Sequence, residues 1–228
     1  MAAEYEFCPN CGQARIQESM DSFLSEFLKD YFTFDSKIFR SLKPLLFNPG
    51  FLVSEYLAGR RIRYIPPLRI FIFSSILFFI LFGFGIDNSQ EAVGDELDQF
   101  FSDVLPKLFF LLLPLFALLI QWIFGKKGSG YLPHFLFSTY FHAFGFVVGS
   151  IYWLMSKLFQ SISLTMVNTW LLALTLAWLF LYLWFGLKKV YAHSVVTTSL
   201  RLMGLSMAYI LLLVLSAIIA MTVLLGIS

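Results

Sequence analysis

Apolar residues in this chain follow two patterns. Between positions 19 and 47 they recur at helical spacing with charged residues between them, and from position 66 onward they merge into long continuous runs. In the first part, Phe23, Leu24, Phe27, Leu28, Tyr31 and Phe32 repeat every three or four positions opposite Asp21, Glu26, Lys29 and Asp30. That spacing predicts an amphipathic helix. Asp35 is placed to cap a second helix, whose Ile38, Phe39, Leu42, Leu45 and Leu46 make another apolar face. Neither run has the roughly 20 apolar residues a bilayer needs. The two helices therefore lie on a membrane surface, pack on the end of a bundle, or bury their faces against each other, and the pattern leaves all three open.

Five later runs have the length to span: 67–85, 105–124, 135–155, 168–186 and 202–226. The expected fold is all-α, an integral membrane bundle of five transmembrane helices (67–228). A segment of cytoplasmic amphipathic helices (18–66) and a short tail (1–17) precede it. Composition agrees, since 59% of residues are hydrophobic and 13% charged, against about 45–50% and ~25% in soluble domains. The first apolar run starts behind a charged segment, so no cleavable signal peptide is expected. Trp122, Trp153, Trp170 and Trp184 fall near the ends of the predicted spans, as interfacial anchors do.

Charge placement sets an orientation. Of the 16 Lys and Arg residues, all but Lys107 and Lys157 fall on one side of these spans. They lie in the segment before the first span, at Arg69 just inside it, at Lys126 and Lys127, and at Lys188, Lys189 and Arg201. The 86–104 loop instead carries Asp87, Glu91, Asp95, Glu96, Asp98 and Asp103 with no Lys or Arg. Cytoplasmic loops carry the basic excess, so the N-terminus is expected inside and the C-terminus outside.

The chain from Asn48 to Arg69, NPGFLVSEYLAGRRIRYIPPLR, joins the two regimes. Asn48 suits a helix cap, Pro49 a first turn and Gly59 a C-terminal stop, which predicts a short helix over 49–58. Glu55, one turn before Gly59, is placed to pair with Arg61 or Arg63. Arg60, Arg61, Arg63 and Arg69, with Lys126, Lys127, Lys188 and Lys189 on the same side, are candidate ligands for anionic phospholipid headgroups. Each basic residue near an anionic surface adds roughly 1 kcal/mol. A plainer reading makes the same residues a topology signal. Acidic residues interspersed through the N-terminal segment argue against nucleic acid as a partner.

Little else carries chemistry. The spans hold no Asp or Glu, which argues against a cation-coupled transporter. No phosphate-binding glycine loop, nucleophile elbow or pair of catalytic carboxylates occurs, so an enzyme is not expected. In the third span His134, Ser138, His142, Gly145, Gly149 and Tyr152 line one stripe of a helix. The stripe is either a polar path or a helix–helix contact through Gly145 and Gly149. Near the N-terminus, Cys8-Pro9-Asn10-Cys11-Gly12 has the form of one zinc knuckle. Structural zinc needs four ligands, so zinc would bind only with ligands from another chain, a protein partner or a second copy; the plainer reading is a vestigial half-knuckle, reduced and metal-free.

CPNCGQ followed by FTFDSKIFRSLKPLLFNPGFLVSEYLAGRRIRYIPPLRIF resembles, over roughly residues 8–80, a family of uncharacterised bacterial membrane proteins, a domain of unknown function with zinc-ribbon-like cysteines. The resemblance implies that Pro49, Gly50, Glu55, Tyr56, Gly59, Arg61, Tyr64 and Pro66 form a shared element, and that the bilayer is a bacterial inner membrane. It implies no activity. Two function classes follow: a non-enzymatic accessory or regulatory subunit that docks a partner at its cytoplasmic face, and a transporter or flippase for a lipid or anionic amphiphile.

Overall fold

The computed structural model describes residues 37–83, 104–126, 128–161 and 165–227. The predicted helix over 19–32, the Asp35 cap, Cys8, Cys11, Lys127 and the acidic 86–103 stretch lie outside the described residues. Those described form seven α-helices, one 3-10 turn and no strand. The helices are α1 (Lys37–Phe47), α2 (Phe51–Leu57), α3 (Pro67–Gly83), α4 (Leu105–Phe124), α5 (Leu132–Ser161), α6 (Thr165–Tyr191) and α7 (Val195–Ile227).

Four of them, α4 to α7, are long and apolar enough to cross a membrane. Of the run expected to be the first span, the described helix α3 has 17 residues, about 25 Å of helix against a hydrocarbon core of ~30 Å, and it ends where the described residues end. The others overrun their expected limits. α5 starts before Phe135 because Pro133 fits a first turn. It runs on past Lys157, whose ammonium sits 5.7 Å from the Trp153 ring centre. α7 begins seven residues before Leu202, where the Ser194 hydroxyl accepts the Thr197 N–H at 3.2 Å. Ser194 is thus an N-cap that satisfies one of the first-turn donors.

α5 is the hub, packed against α3, α4 and α6 and touching α1 and α2. Aromatic rings fill its contacts. Phe146 meets Phe71, Phe78, Phe79 and Phe109, and Phe144 stacks on Tyr182. Between helices in lipid, such close packing supplies the attraction that water would otherwise drive. α7 differs. Beyond Leu205 it buries no side chain among the described residues.

Of the amphipathic region, the described part, α1, packs against the bundle. Leu45 of α1 and Leu52, Val53 and Tyr56 of α2 are buried in the same core as Leu136, Phe137 and Leu187. The α1–α2 pair is therefore a wedge set into the bundle alongside α5 and α6. Its corner departs from the expected helix over 49–58. The Phe51 N–H bonds the Asn48 carbonyl at 3.1 Å, and Gly50 takes φ 72, ψ −5. With Pro49 before it, this is the geometry of a type II turn, and α2 starts only at Phe51. Gly59 ends α2 with φ 83, its N–H on the Tyr56 carbonyl and the Arg60 N–H on the Glu55 carbonyl. That pair of bonds is a Schellman motif, which requires a left-handed residue at the Gly59 position.

Candidate functional site: the basic end of the bundle

The ends of α4, α5, α6 and α7 meet on the side where the wedge docks. The Phe124 ring at the end of α4 lies 5.5 Å from that of Tyr191 at the end of α6. The Tyr191 hydroxyl lies 2.7 Å from His134 Nδ1 at the start of α5. Ala192 follows with φ 53, a left-handed conformation that costs a non-glycine residue about 1–2 kcal/mol. It turns the chain so that His193 reaches the end of α4.

The wedge is held to this end by its Asn-Pro-Gly corner. A Cβ on Gly50 would stand 3.0 Å from the Gly186 carbonyl oxygen and 3.1 Å from Val190, so the two backbones touch with no room for a side chain. Three residues on, Lys189 donates to the Asn48 side-chain oxygen at 2.9 Å and lies 5.2 Å from the Phe51 ring centre. Asn48, expected as a cap, instead binds α6. Further along, the Ile65 N–H donates to the buried Ser41 hydroxyl at 2.8 Å, tying the exit of the wedge back to α1.

Charge gathers around this corner. Glu55 pairs with Arg60 through both carboxylate oxygens, rather than with Arg61 or Arg63. The Arg60 hydrogen bond holds the Glu55 carboxyl below the usual carboxylate range, with Arg60, Arg63 and Lys189 adding to it through charge. Glu55 therefore stands within the field of both the wedge arginines and the α6 lysine. It is also the one acidic side chain among the described residues. Lys188 lies 5.0 Å from the Trp184 ring centre, Lys126 and Arg63 are exposed, and Arg61 is half-buried. Arg69 stands apart, 7% exposed inside the bundle on α3, so it is not on the exposed rim. Lys127 lies outside the described residues.

The α5 stripe divides into two parts. His134, Ser138 and His142 are buried and bond other segments. Ser129 donates its hydroxyl proton to the Lys126 carbonyl, so at 3.2 Å it accepts from His134 Nε2–H, leaving His134 Nδ1 to accept from Tyr191. Ser138 donates to the Leu113 carbonyl of α4 at 2.7 Å. His142 Nδ1 faces the Ser138 carbonyl at 2.8 Å and so carries the hydrogen, which makes Nε2 the acceptor for the Tyr209 hydroxyl of α7 at 2.8 Å. The two histidines thus clasp α5 to α6 and to α7. The glycines do not form the expected backbone contact. A Cβ on Gly145 would meet nothing within 4 Å, and one on Gly149 would stand 2.9 Å from the Phe78 ring of α3. Tyr152 is half-buried.

Sequence reasoning missed Gly186, Tyr191, His193 and Tyr209. Nothing in the spacing of Gly186 sets it apart from other helical glycines; its partner, Gly50, is 136 positions away in the chain. The described residues contain no group of three His, Cys, Asp or Glu able to hold a metal. A family model described as "Protein of unknown function (DUF3667)" matches residues 35–79. No curated protein and no solved structure matches the chain. The chain is thus similar to that uncharacterised family over the wedge and most of α3, a stretch that includes Pro49 to Pro66 and stops short of Cys8 and Cys11.

Proposed function

We propose that this chain is a non-enzymatic integral membrane protein of the bacterial inner membrane, crossing it five times with α3 as the first span. The basic end faces the cytoplasm, holds anionic phospholipid headgroups through Arg60, Arg61, Arg63, Lys126, Lys127, Lys188 and Lys189, and offers the docked wedge to a protein partner. The observation that carries the reading is the imbalance at that end, where Glu55 alone among described residues opposes the cations and is itself paired with Arg60. Trp122 at the end of α4 is 82% exposed and Phe47 at the end of α1 is 72% exposed, which suits a headgroup layer where aromatic rings anchor. A partner or a second copy would also have to supply the remaining ligands for any zinc at Cys8 and Cys11.

The transport reading calls for His142 and Ser138 to line an opening. Both are committed to hydrogen bonds between or within helices, so the lipid-holding reading is preferred.

The test is mass spectrometry of lipids that stay bound through mild detergent. The expected result is enrichment of anionic phospholipid over its share of the membrane. Replacing Arg63 and Lys188 together by Gln should weaken retention by ~30-fold, from ~1 kcal/mol for each basic residue at an anionic surface. Bound lipid that mirrors the bulk membrane, unchanged in the double variant, would remove the proposal. For the docking half, affinity purification should return a reproducible partner; recovery of this protein alone would count against it.

A further inference from the structure

The corner between α6 and α7 holds one nitrogen between two competing partners. His193 Nε2 is 2.8 Å from Arg201 Nη1 and 3.4 Å from the Phe124 carbonyl oxygen. A guanidinium only donates, so Nε2 accepts from Arg201, and His193 is neutral with its hydrogen on Nδ1. In that state Nε2 offers nothing to the Phe124 carbonyl. This carbonyl is the last of α4, one of four that a helix leaves without an internal partner, at the negative end of the helix dipole. It favours a cation beside it.

We propose that protonation of His193 turns Nε2 from acceptor to donor, moving its bond from Arg201 to the Phe124 carbonyl and freeing the Arg201 guanidinium for a lipid phosphate. One proton enters from water at Nε2. The N–H now faces an N–H of Arg201, cation against cation, and that bond breaks. The new N–H···O bond needs a closing movement of about 0.5 Å from the present distance to reach ordinary length.

The surrounding groups sharpen the switch. From α6, the Tyr191 hydroxyl is committed to His134, and Lys188 and Lys189 are engaged with Trp184, Phe51 and Asn48. From α7, the Ser194 hydroxyl donates to that of Thr197. Lys126, just past the end of α4, is exposed. None of these is a carboxylate, so an arriving phosphate is the anion that would favour the protonated state. Anion binding and proton uptake then reinforce each other by linkage. The inference rests on the reading of this end as an anionic-lipid surface and adds its regulation: lipid is held more tightly once His193 has taken up a proton.

The test uses the full-length protein in detergent micelles, titrated with dioctanoylphosphatidylglycerol at about pH 8 and at about pH 5.5. Dioctanoylphosphatidylcholine and inorganic phosphate run in parallel. The wild type should bind the anionic lipid about five-fold more tightly at the lower pH, the effect of one further basic residue at the surface. His193→Gln should show the same affinity at both pH values. Arg201→Gln should match wild type at high pH and lose the gain at low pH, a second arm should His193→Gln fail to fold. Equal binding by the wild type at both pH values, or an unchanged shift in His193→Gln, overturns the switch and leaves the lipid reading standing. No binding of the anionic lipid at either pH overturns both. An equal pH-dependent gain with inorganic phosphate supports the switch and makes free phosphate the ligand.

Discussion

At the scale of single residues, the Gly50–Gly186 contact has the clearest physical consequence. Gly50 needs its glycine twice, for a left-handed φ of 72° and for a carbonyl 3.0 Å from where a Cβ would lie. Neither backbone can yield without moving the corner. Gly50→Ala should therefore destabilise the protein by about 1–3 kcal/mol, measured by thermal unfolding in detergent. Gly186→Ala should cost less, because its φ is not left-handed and the nearest atoms to its Cβ, at 3.1 Å and 3.2 Å, belong to the Phe137 side chain rather than to backbone. Equal losses in the two variants would argue against a backbone-to-backbone contact. Glu55 carries a pH signature. Its folded-state carboxyl is depressed by Arg60, so its contribution is present above the ordinary glutamate range and is lost as the pH falls through the depressed value. The melting temperature of the wild type should fall more between neutral and acid pH than that of Glu55→Gln. A larger fall in the variant would contradict the pairing.

At the scale of helices, α5 shows why some of this was legible in the sequence and some was not. A stripe of His134, Ser138 and His142 at helical spacing marks a contact face, since buried polar groups need partners. The partners, Tyr191 and Tyr209, are 57 and 67 positions away, and no local pattern points to them. Helix limits erred for a related reason. Arg201 and Lys157 read as ends of apolar runs, yet α7 and α5 continue past them because such side chains reach a partner at the interface. Lys157 covers Trp153 and Arg201 meets His193. Gly59 was legible as a stop because a Schellman turn depends on one residue type, whereas the role of Gly50 depends on α6. If His142 clasps α5 to α7, Tyr209→Phe should cost about 0.6 kcal/mol, and at most ~1.7, as hydrogen bonds between membrane helices do. The loss should disappear when His142 is already replaced by Phe. A full additional loss in the double variant would show that the two residues do not act as a pair.

For the whole molecule, α3 is the element on which the architecture turns. Its described residues are fewer than those of α4 to α7, and the α1–α2 wedge lies alongside the start of α5, which has 30 residues and runs about 45 Å. Arg63 precedes α3 and Lys107 follows it, so the proposed five-span topology with the basic end inside requires them on opposite faces of the membrane. The direct measurement is labelling of single cysteines, Arg63→Cys and Lys107→Cys, in a chain whose Cys8 and Cys11 are replaced by Ser, using a membrane-impermeant maleimide. Lys107→Cys should label in intact cells, and Arg63→Cys only after the membrane is opened. Labelling of both from the same side would mean that α3 does not cross, and labelling of Arg63→Cys in intact cells would place the basic end outside.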